Sequence, residues 1–189
     1  RRLLEAGKRH GLAPKLHADE LGDVGAAALA AEVGAVSADH LLFSSESGLR
    51  AMADAGVVAV LLPGTAFTLG LPYAPARRMI EMGLPVAVAT DWNPGSTMSS
   101  SLPLAMTMAI AQMKMTPAEA WMAVTANAAS AVGRSARIGR IQPGYQADLV
   151  LFEGGDYRHI PYHYGHNHAR LVVVRGAVVL EAGTGSRCT

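Results

Sequence analysis

The stretch LPVAVATDWNPGS, Leu84 to Ser96, decides how the chain is read. Val86 to Ala89 carry no polar side chain and read as a buried strand, and Asp91 then stands at that strand's end. A carboxylate there is costly unless something compensates its charge. With strand alternation Asp91 shares a side with Ala87 and Ala89. Small residues beneath a carboxylate suit the crowded interior of a barrel, so Asp91 is expected to point inward.

Upstream the same arrangement recurs. PKLHADE is a strand followed by the Ala-rich helix LGDVGAAALAAEVG, ending at Gly34. ADHLLF is a strand followed by SSESGLRAMADAG, with Ser44 or Ser45 as N-cap and Gly56 as the stop. VVAVLLPG is a strand followed by a loop and the helix APARRMIEMG, in which Arg77 and Arg78 read as a solvated face. Apolar strands alternating with helices every 20 to 30 residues or so predict an α/β fold with a parallel sheet. His17, His40 and Asp91 all fall at strand C-terminal ends, the end that hosts active sites in α/β barrels.

Downstream, SLPLAMTMAIAQMKM is a Met-rich helix read as core packing. TPAEAWMAVTANAASAVG follows as one helix, with Thr116 capping, Pro117 at the first position and Glu119 in the first turn. From Ile138 the character changes. IGRIQPGYQADLVLFEG and ARLVVVRGAVVLEAG are β-branched runs broken by turns, the strands of a separate small sheet.

Half of the 189 residues are hydrophobic and 16% charged, enough apolar material for a large core, and the net charge of +1 gives no electrostatic footprint for nucleic acid or membrane. The one cysteine, Cys188, sits in a Gly-Ser-rich tail, which leaves no disulfide framework and no Cys-based zinc site. No apolar run approaches the roughly 20 residues of a membrane span, and RRLLEAGKRHG is not a signal peptide, so a cytoplasmic protein is expected. The chain starts without Met, as if inside a helix, and is expected to be a piece of something longer.

His17, His40 and Asp91 together offer two imidazoles and a carboxylate to one mouth, a set that suits zinc, iron or manganese. A cation close to Asp91 would offset its desolvation. The competing reading is an Asx turn joining Asp91 to Asn93 and Gly95. Asn93 can donate and accept through its amide, Gly95 lets a ligand approach the backbone, and Ser96 is expected where a helix begins, with N–H groups suited to an anion. A plain Pro-Gly turn with a Ser cap accounts for the same letters. Glu20 is either an acid or base or a helix N-terminal carboxylate. The cluster HIPYHYGHNH places four His in ten residues (His159, His163, His166, His168). Pro161 and Gly165 break regular spacing, and a polar loop near the sheet is expected.

The motifs KLHADE, SADHL, LLPGTAF, ATDWNPGS, TPAEAWMAVTANAASAVG, GRIQPGYQADLVLFE and IPYHYGHNHARLVVVRGAVV, in this order, resemble the imidazolonepropionases of the amidohydrolase superfamily. The stretch around Pro143, Gly144 and Asp148 is superfamily-wide; TDWNPGS with HADE and PYHYG is more specific. The resemblance implies a (β/α)8 barrel with a small β-sandwich built from both chain ends. It implies one divalent metal, zinc or iron, held by His17 and Asp91. Glu20, His40 and Asp91 would be catalytic, and Glu20, Asn93, Gly95 and Ser96 would bind substrate. The implied reaction hydrolyses the cyclic amide 4-imidazolone-5-propanoate to N-formimidoyl-L-glutamate in histidine degradation, in an enzyme that is a homodimer at full length.

The family's first metal motif, a His-x-His pair on the first strand, is missing here, and His166-Asn167-His168 lies in the wrong region to replace it. The expectation is therefore the C-terminal half of the barrel, strands 5 to 8, over 1–137, with C-terminal strands of the sandwich over 138–189. Alone, such a half would expose Val, Leu and Ala of its inner face. Two other readings stand beside this one: another amidohydrolase, acting on a nucleobase or triazine, against which the WNPGS loop argues, and a non-catalytic fragment that associates with a partner.

Overall fold

The computed structural model describes residues 1–182; Cys188 and the tail around it lie outside the described residues. After helix α1 (Arg2–Arg9), four strands alternate with helices: β1 (Lys15–Ala18), α2 (Ala26–Glu32), β2 (Ser37–His40), α3 (Glu46–Asp54), β3 (Val58–Leu61), α4 (Pro63–Leu69), α5 (Ala76–Glu81) and β4 (Val86–Val88). The strands form one parallel sheet in the order β1-β2-β3-β4. Sequential order with helical crossovers on one side brings every strand's C-terminal end to the same edge of the sheet.

The helices bury one face. Ala27, Ala30, Leu49, Met52, Met79 and Met113 join Ala38, Ala59, Leu61, Val86 and Val88 in the main core. Ser45 caps α3 by accepting from Gly48 N–H, and Gly56, at φ 69°, takes the left-handed position just past the helix end. α2 is shorter than its Ala-rich stretch predicts, beginning only at Ala26. The segment LPGTAF is helical rather than a loop: Pro63 supplies the first helical position, where its missing N–H is no loss.

α6 (Leu102–Met113) buries Met106 and Met113, so part of the Met stripe is core. The next predicted helix is broken into α7 (Pro117–Val124) and α8 (Ala126–Ala131) at Thr125, whose φ of −124° and ψ of −91° leave the helical region. Thr116 and Glu119 form a capping box, and Arg77 ion-pairs with that Glu119 instead of facing water alone, tying α5 to α7.

The break lets α8 turn onto the other face of the sheet. There Ala131 and Ala128 cover Val58, Val60 and Ala87. Asn127 Nδ2 donates to Val86 O on β4 at 2.8 Å, and Lys15 Nζ donates to Ala131 O at 3.2 Å, satisfying a helix-end carbonyl. The inner face of β3 and β4 is therefore covered by the chain's own helix, which corrects the expectation that its Val and Ala would stand bare.

Beyond Ile138 the first run is turns, and the strand begins only at Leu149. β5 (Leu149–Phe152), β6 (Ala169–Val174) and β7 (Ala177–Glu181) make a separate antiparallel sheet in that order. Val150, Leu151, Val178, Val179 and Leu180 of this sheet are exposed. The His-rich segment forms one helical turn, α9 (His159–Tyr162), and packs on the helices rather than on the sheet: Thr107 Oγ1 donates to Pro161 O at 2.6 Å and Trp121 Nε1 to Tyr157 O at 3.0 Å. No helix among the described residues is long and apolar enough to cross a membrane.

Candidate functional site at the strand ends

The parallel register pairs Lys15 with Ser37 and His17 with Asp39. Alternation puts these four polar side chains on one face. Lys15 bonds to Ser37 and lies 3.7 Å from Asp39 Oδ1, and His17 Nδ1 lies 3.4 Å from Asp39 Oδ2. The inner face is thus polar along β1 and β2 and apolar along β3 and β4. Sequence reasoning passed over Asp39, because only the register between two strands reveals that it faces His17.

His40 does not simply continue the side of Ala38 and Leu42. It and Leu41 have φ of 73° and 62°, so the strand stops alternating there, and Leu41 and Leu42 both enter the same core cluster as Ala38. The His40 ring, 2% exposed, meets the His17 ring edge to face with centroids 4.8 Å apart. Its Nε2 lies 3.7 Å from Glu20 Oε2. Burial depresses the His40 pKa, and the Glu20 carboxylate partly opposes that shift. Glu20 sits six residues before α2, so it is no helix-end carboxylate; its side chain turns to His40.

Asp19 holds that geometry. It is 3% exposed, with φ 48°, and accepts from the N–H groups of Val24, Ala26 and Ala27 and from Ser44 Oγ. Burial alone would raise its pKa, but these four hydrogen bonds outweigh it and hold the carboxyl below its ordinary value. Asp19 thereby pins the loop carrying Glu20 to the start of α2 and to the loop that leads from β2 into α3. A buried Asp serving backbone groups five to eight residues downstream looks, in sequence, like one more polar loop residue.

Asp91 lies beyond β4 with φ 52°. Its Oδ2 accepts from Thr65 Oγ1 at 2.6 Å. The loop that follows is organised by Asn93. Asn93 Oδ1 accepts from Gly95 N–H and Ser96 N–H at 2.8 and 2.9 Å, and Nδ2 donates to Asp91 O at 2.7 Å and Ser96 Oγ at 3.1 Å. This is an Asx turn centred on Asn93 rather than Asp91. Ser96 does not open a helix, which corrects that expectation; α6 starts six residues later, at Leu102, capped by Ser101. The Ser96 N–H is spent inside the turn, not left for an anion.

Three strand ends therefore carry left-handed residues, namely Asp19 after β1, His40 at the end of β2 and Asp91 after β4. β3 ends in Leu61, Leu62 and Pro63 with no positive φ and no polar side chain.

The donor chemistry of His17, His40 and Asp91 fits a divalent metal, and His40 Nδ1 and Asp39 Oδ1 are buried without a hydrogen-bond partner among the described residues. Among those residues, no three His, Cys, Asp or Glu side chains converge closely enough to hold a metal unaided. The His-rich segment pairs its rings edge to face (His159 with His163, His163 with His168) without forming such a cluster. A cavity of about 570 Å³ opens beside it, between α6 and α9, lined by Ile110, Tyr162, His163 and Tyr164, and holds none of the strand-end residues.

Comparison with known proteins agrees with this layout. Residues 1–180 match the model of the Amidohydrolase family. The imidazolonepropionase of Geobacillus thermodenitrificans is 57% identical over 183 residues, covering 97% of this chain and 43% of that protein. The imidazolonepropionase of Shouchella clausii is 54% identical over 99% of this chain and 43% of that protein. The chain thus spans about two-fifths of the length of the curated relatives it matches. Among solved structures, a zinc-bound adenosine deaminase from Xanthomonas campestris superposes with a TM-score of 0.81 at 21% identity, over 95% of this chain and 48% of that one. An atrazine chlorohydrolase from Arthrobacter aurescens complexed with zinc superposes with a TM-score of 0.79 at 18% identity, over 94% and 46%. These likenesses are of fold.

Proposed function

The chain belongs to the amidohydrolase family, and from that premise we propose that it is the C-terminal half of an imidazolonepropionase, hydrolysing 4-imidazolone-5-propanoate to N-formimidoyl-L-glutamate in histidine degradation. The carrying observation is 57% identity to an imidazolonepropionase along 97% of the chain. In this reading residues 1–137 are strands 5 to 8 of the barrel with their helices, and 138–189 supply strands of the small β-sandwich. The outer edges of β1 and β4, unpaired among the described residues, and the exposed apolar residues of the antiparallel sheet support it, since each is what a missing complementary half would cover. The full-length protein is a cytoplasmic homodimer acting on a small molecule.

His17 and Asp91 would hold one divalent metal, zinc or iron. When bound, it supplies Lewis acidity and brings the pKa of water from about 15.7 toward about 7. The chain's own residues do the rest. Glu20 Oε2 and His40 Nε2, 3.7 Å apart, are close enough to pass a proton once substrate brings them together. Glu20 takes a proton from water as the water oxygen adds to the ring carbonyl carbon, and as the C–N bond opens Glu20 returns that proton to the departing ring nitrogen. His40, buried and with a depressed pKa, is neutral near pH 7 and can accept or donate as the carbonyl changes charge. Asn93 Nδ2 donates to both Asp91 O and Ser96 Oγ, which ties the turn to Asp91, and Asn93, Gly95 and Ser96, with Glu20, would bind the substrate.

The test is hydrolysis by the protein expressed from its complete reading frame, with 4-imidazolone-5-propanoate, adenosine and a chlorotriazine as parallel substrates. Turnover of the first alone is expected, and Asp91→Ala should abolish it while leaving the circular dichroism spectrum unchanged. Preferential turnover of either other substrate, or near-normal kcat in Asp91→Ala, would overturn the reading.

A further inference from the structure

Asp91 stands just past a strand end, on a left-handed residue, in a loop built from Asn93. None of these features fixes its side chain. Thr65 does. It lies in the first turn of α4, the helix that leaves β3, and is 0% exposed. Its Oγ1 donates to Asp91 Oδ2 at 2.6 Å and lies 3.1 Å from Thr97 Oγ1. A hydroxyl has one proton. Since that of Thr65 is committed to the carboxylate, the proton between the two threonines comes from Thr97, and the chain runs Thr97 O–H to Thr65, Thr65 O–H to Asp91. Hydrogen bonds linked head to tail in a dry interior polarise one another.

Thr97 is fixed in turn. It exchanges backbone hydrogen bonds with Asn93, at 2.9 and 3.3 Å, and its Cγ2 fills the space over Gly64, where a Cβ would come within 2.7 Å. The glycine preceding Thr65 is therefore what admits Thr97 to the hydroxyl chain. Asp91 Oδ1 makes no hydrogen bond among the described residues.

We propose that Thr65, backed by Thr97, is the positioning residue for Asp91: it anchors Oδ2 and leaves Oδ1 as the oxygen offered to a divalent metal. This rests on the hydrolase reading above. A side chain that orients a metal ligand typically changes metal affinity or activity by about 10–100-fold when removed.

The experiment measures zinc affinity, by competition with a chromophoric chelator, and separately kcat and KM, on the protein from its complete reading frame. Thr65→Val removes the hydroxyl at similar volume. It should weaken zinc binding by roughly 10–100-fold and lower kcat more than it raises KM, whereas Thr65→Ser should bind zinc within about threefold of wild type. In an Asp91→Asn background, Thr65→Val should cause no further loss. Zinc affinity of Thr65→Val within about twofold of wild type, or an equal loss in the Asp91→Asn background, overturns the proposal. Should Thr65→Val fail to fold, Thr97→Val takes its place; unchanged zinc affinity there is equally fatal. A wild type that binds zinc but does not hydrolyse 4-imidazolone-5-propanoate sinks the function and leaves Thr65 to be judged on zinc; a wild type that binds neither zinc nor ferrous iron sinks both.

Discussion

Ser44 donates a 2.8 Å hydrogen bond to Asp19, joining the loop that leads from β2 into α3 to the residue just past β1. Three backbone N–H groups converge on the same carboxylate. Removing it orphans all four donors at once, and hydrogen bonds to a charged group contribute about 1.5–3 kcal/mol each, not additively. Asp19→Ala should therefore lower unfolding free energy by about 3 kcal/mol and Ser44→Ala by about 1 kcal/mol. Urea unfolding measures both; equal, small effects would show that the backbone donors find water instead.

Acid sensitivity should be traceable to Glu119. Its hydrogen bond from Arg77 brings its pKa from 4.5 to about 2, with burial opposing and Thr116 assisting. A folded-state pKa below the unfolded one means stability that is present in full above about pH 4.5 and is lost as pH falls toward 2. Wild type should melt higher than Glu119→Gln at pH 6, and the gap should close as pH approaches 2. A gap independent of pH would assign the effect to capping alone.

Gly139 should tolerate no side chain. At φ 87°, a Cβ there would come within 2.7 Å of Ala129 Cβ and 2.8 Å of Thr125 O. Left-handed strain and overpacking together predict that Gly139→Ala costs about 2–4 kcal/mol, read as a drop in melting temperature. Gly144, also at positive φ (85°) but with nothing near its Cβ position, is the control and should lose only about 1 kcal/mol on the same change.

Glu20→Gln separates proton transfer from metal binding. Glu20 faces His40 and is not among the residues assigned to the metal. The variant should lose about 10²–10⁴ in kcat while keeping its metal content by elemental analysis. Metal loss in proportion to rate would move Glu20 into the metal's own shell.

The βα rhythm was legible because β3 and β4 are buried on both faces and so appear as unbroken apolar runs. α4 was not, since Pro63 and Gly64 read as a turn by local rules although both are buried in a helix. The break at Thr125 has no Pro or Gly to announce it; the packing of α8 on β3 and β4 imposes it. The position of His17, His40, Glu20 and Asp91 at or just beyond strand ends was legible in the sequence. Asp19, Asp39 and Thr65 were not, because each acts through a partner 25, 22 or 26 residues distant in sequence (Ser44, His17 and Asp91) that only the folded register supplies.

The left-handed backbone at Asp19, His40 and Asp91 sets a conflict between durability and chemistry. A non-glycine residue in that conformation costs about 1–2 kcal/mol, less for Asp, whose short polar chain tolerates it. Glycine would relax the backbone, so at these positions a glycine variant should melt above the corresponding alanine variant, the reverse of the order inside helices and strands. Relief of that strain is no route to heat resistance at Asp19, whose carboxylate holds four hydrogen bonds, and at His40 and Asp91 it comes only with loss of a side chain that the proposed reaction uses. β3 ends without such a residue, and the helix that leaves it brings Thr65 to Asp91 from ordinary right-handed backbone, so that strand tip serves the site without the same conflict.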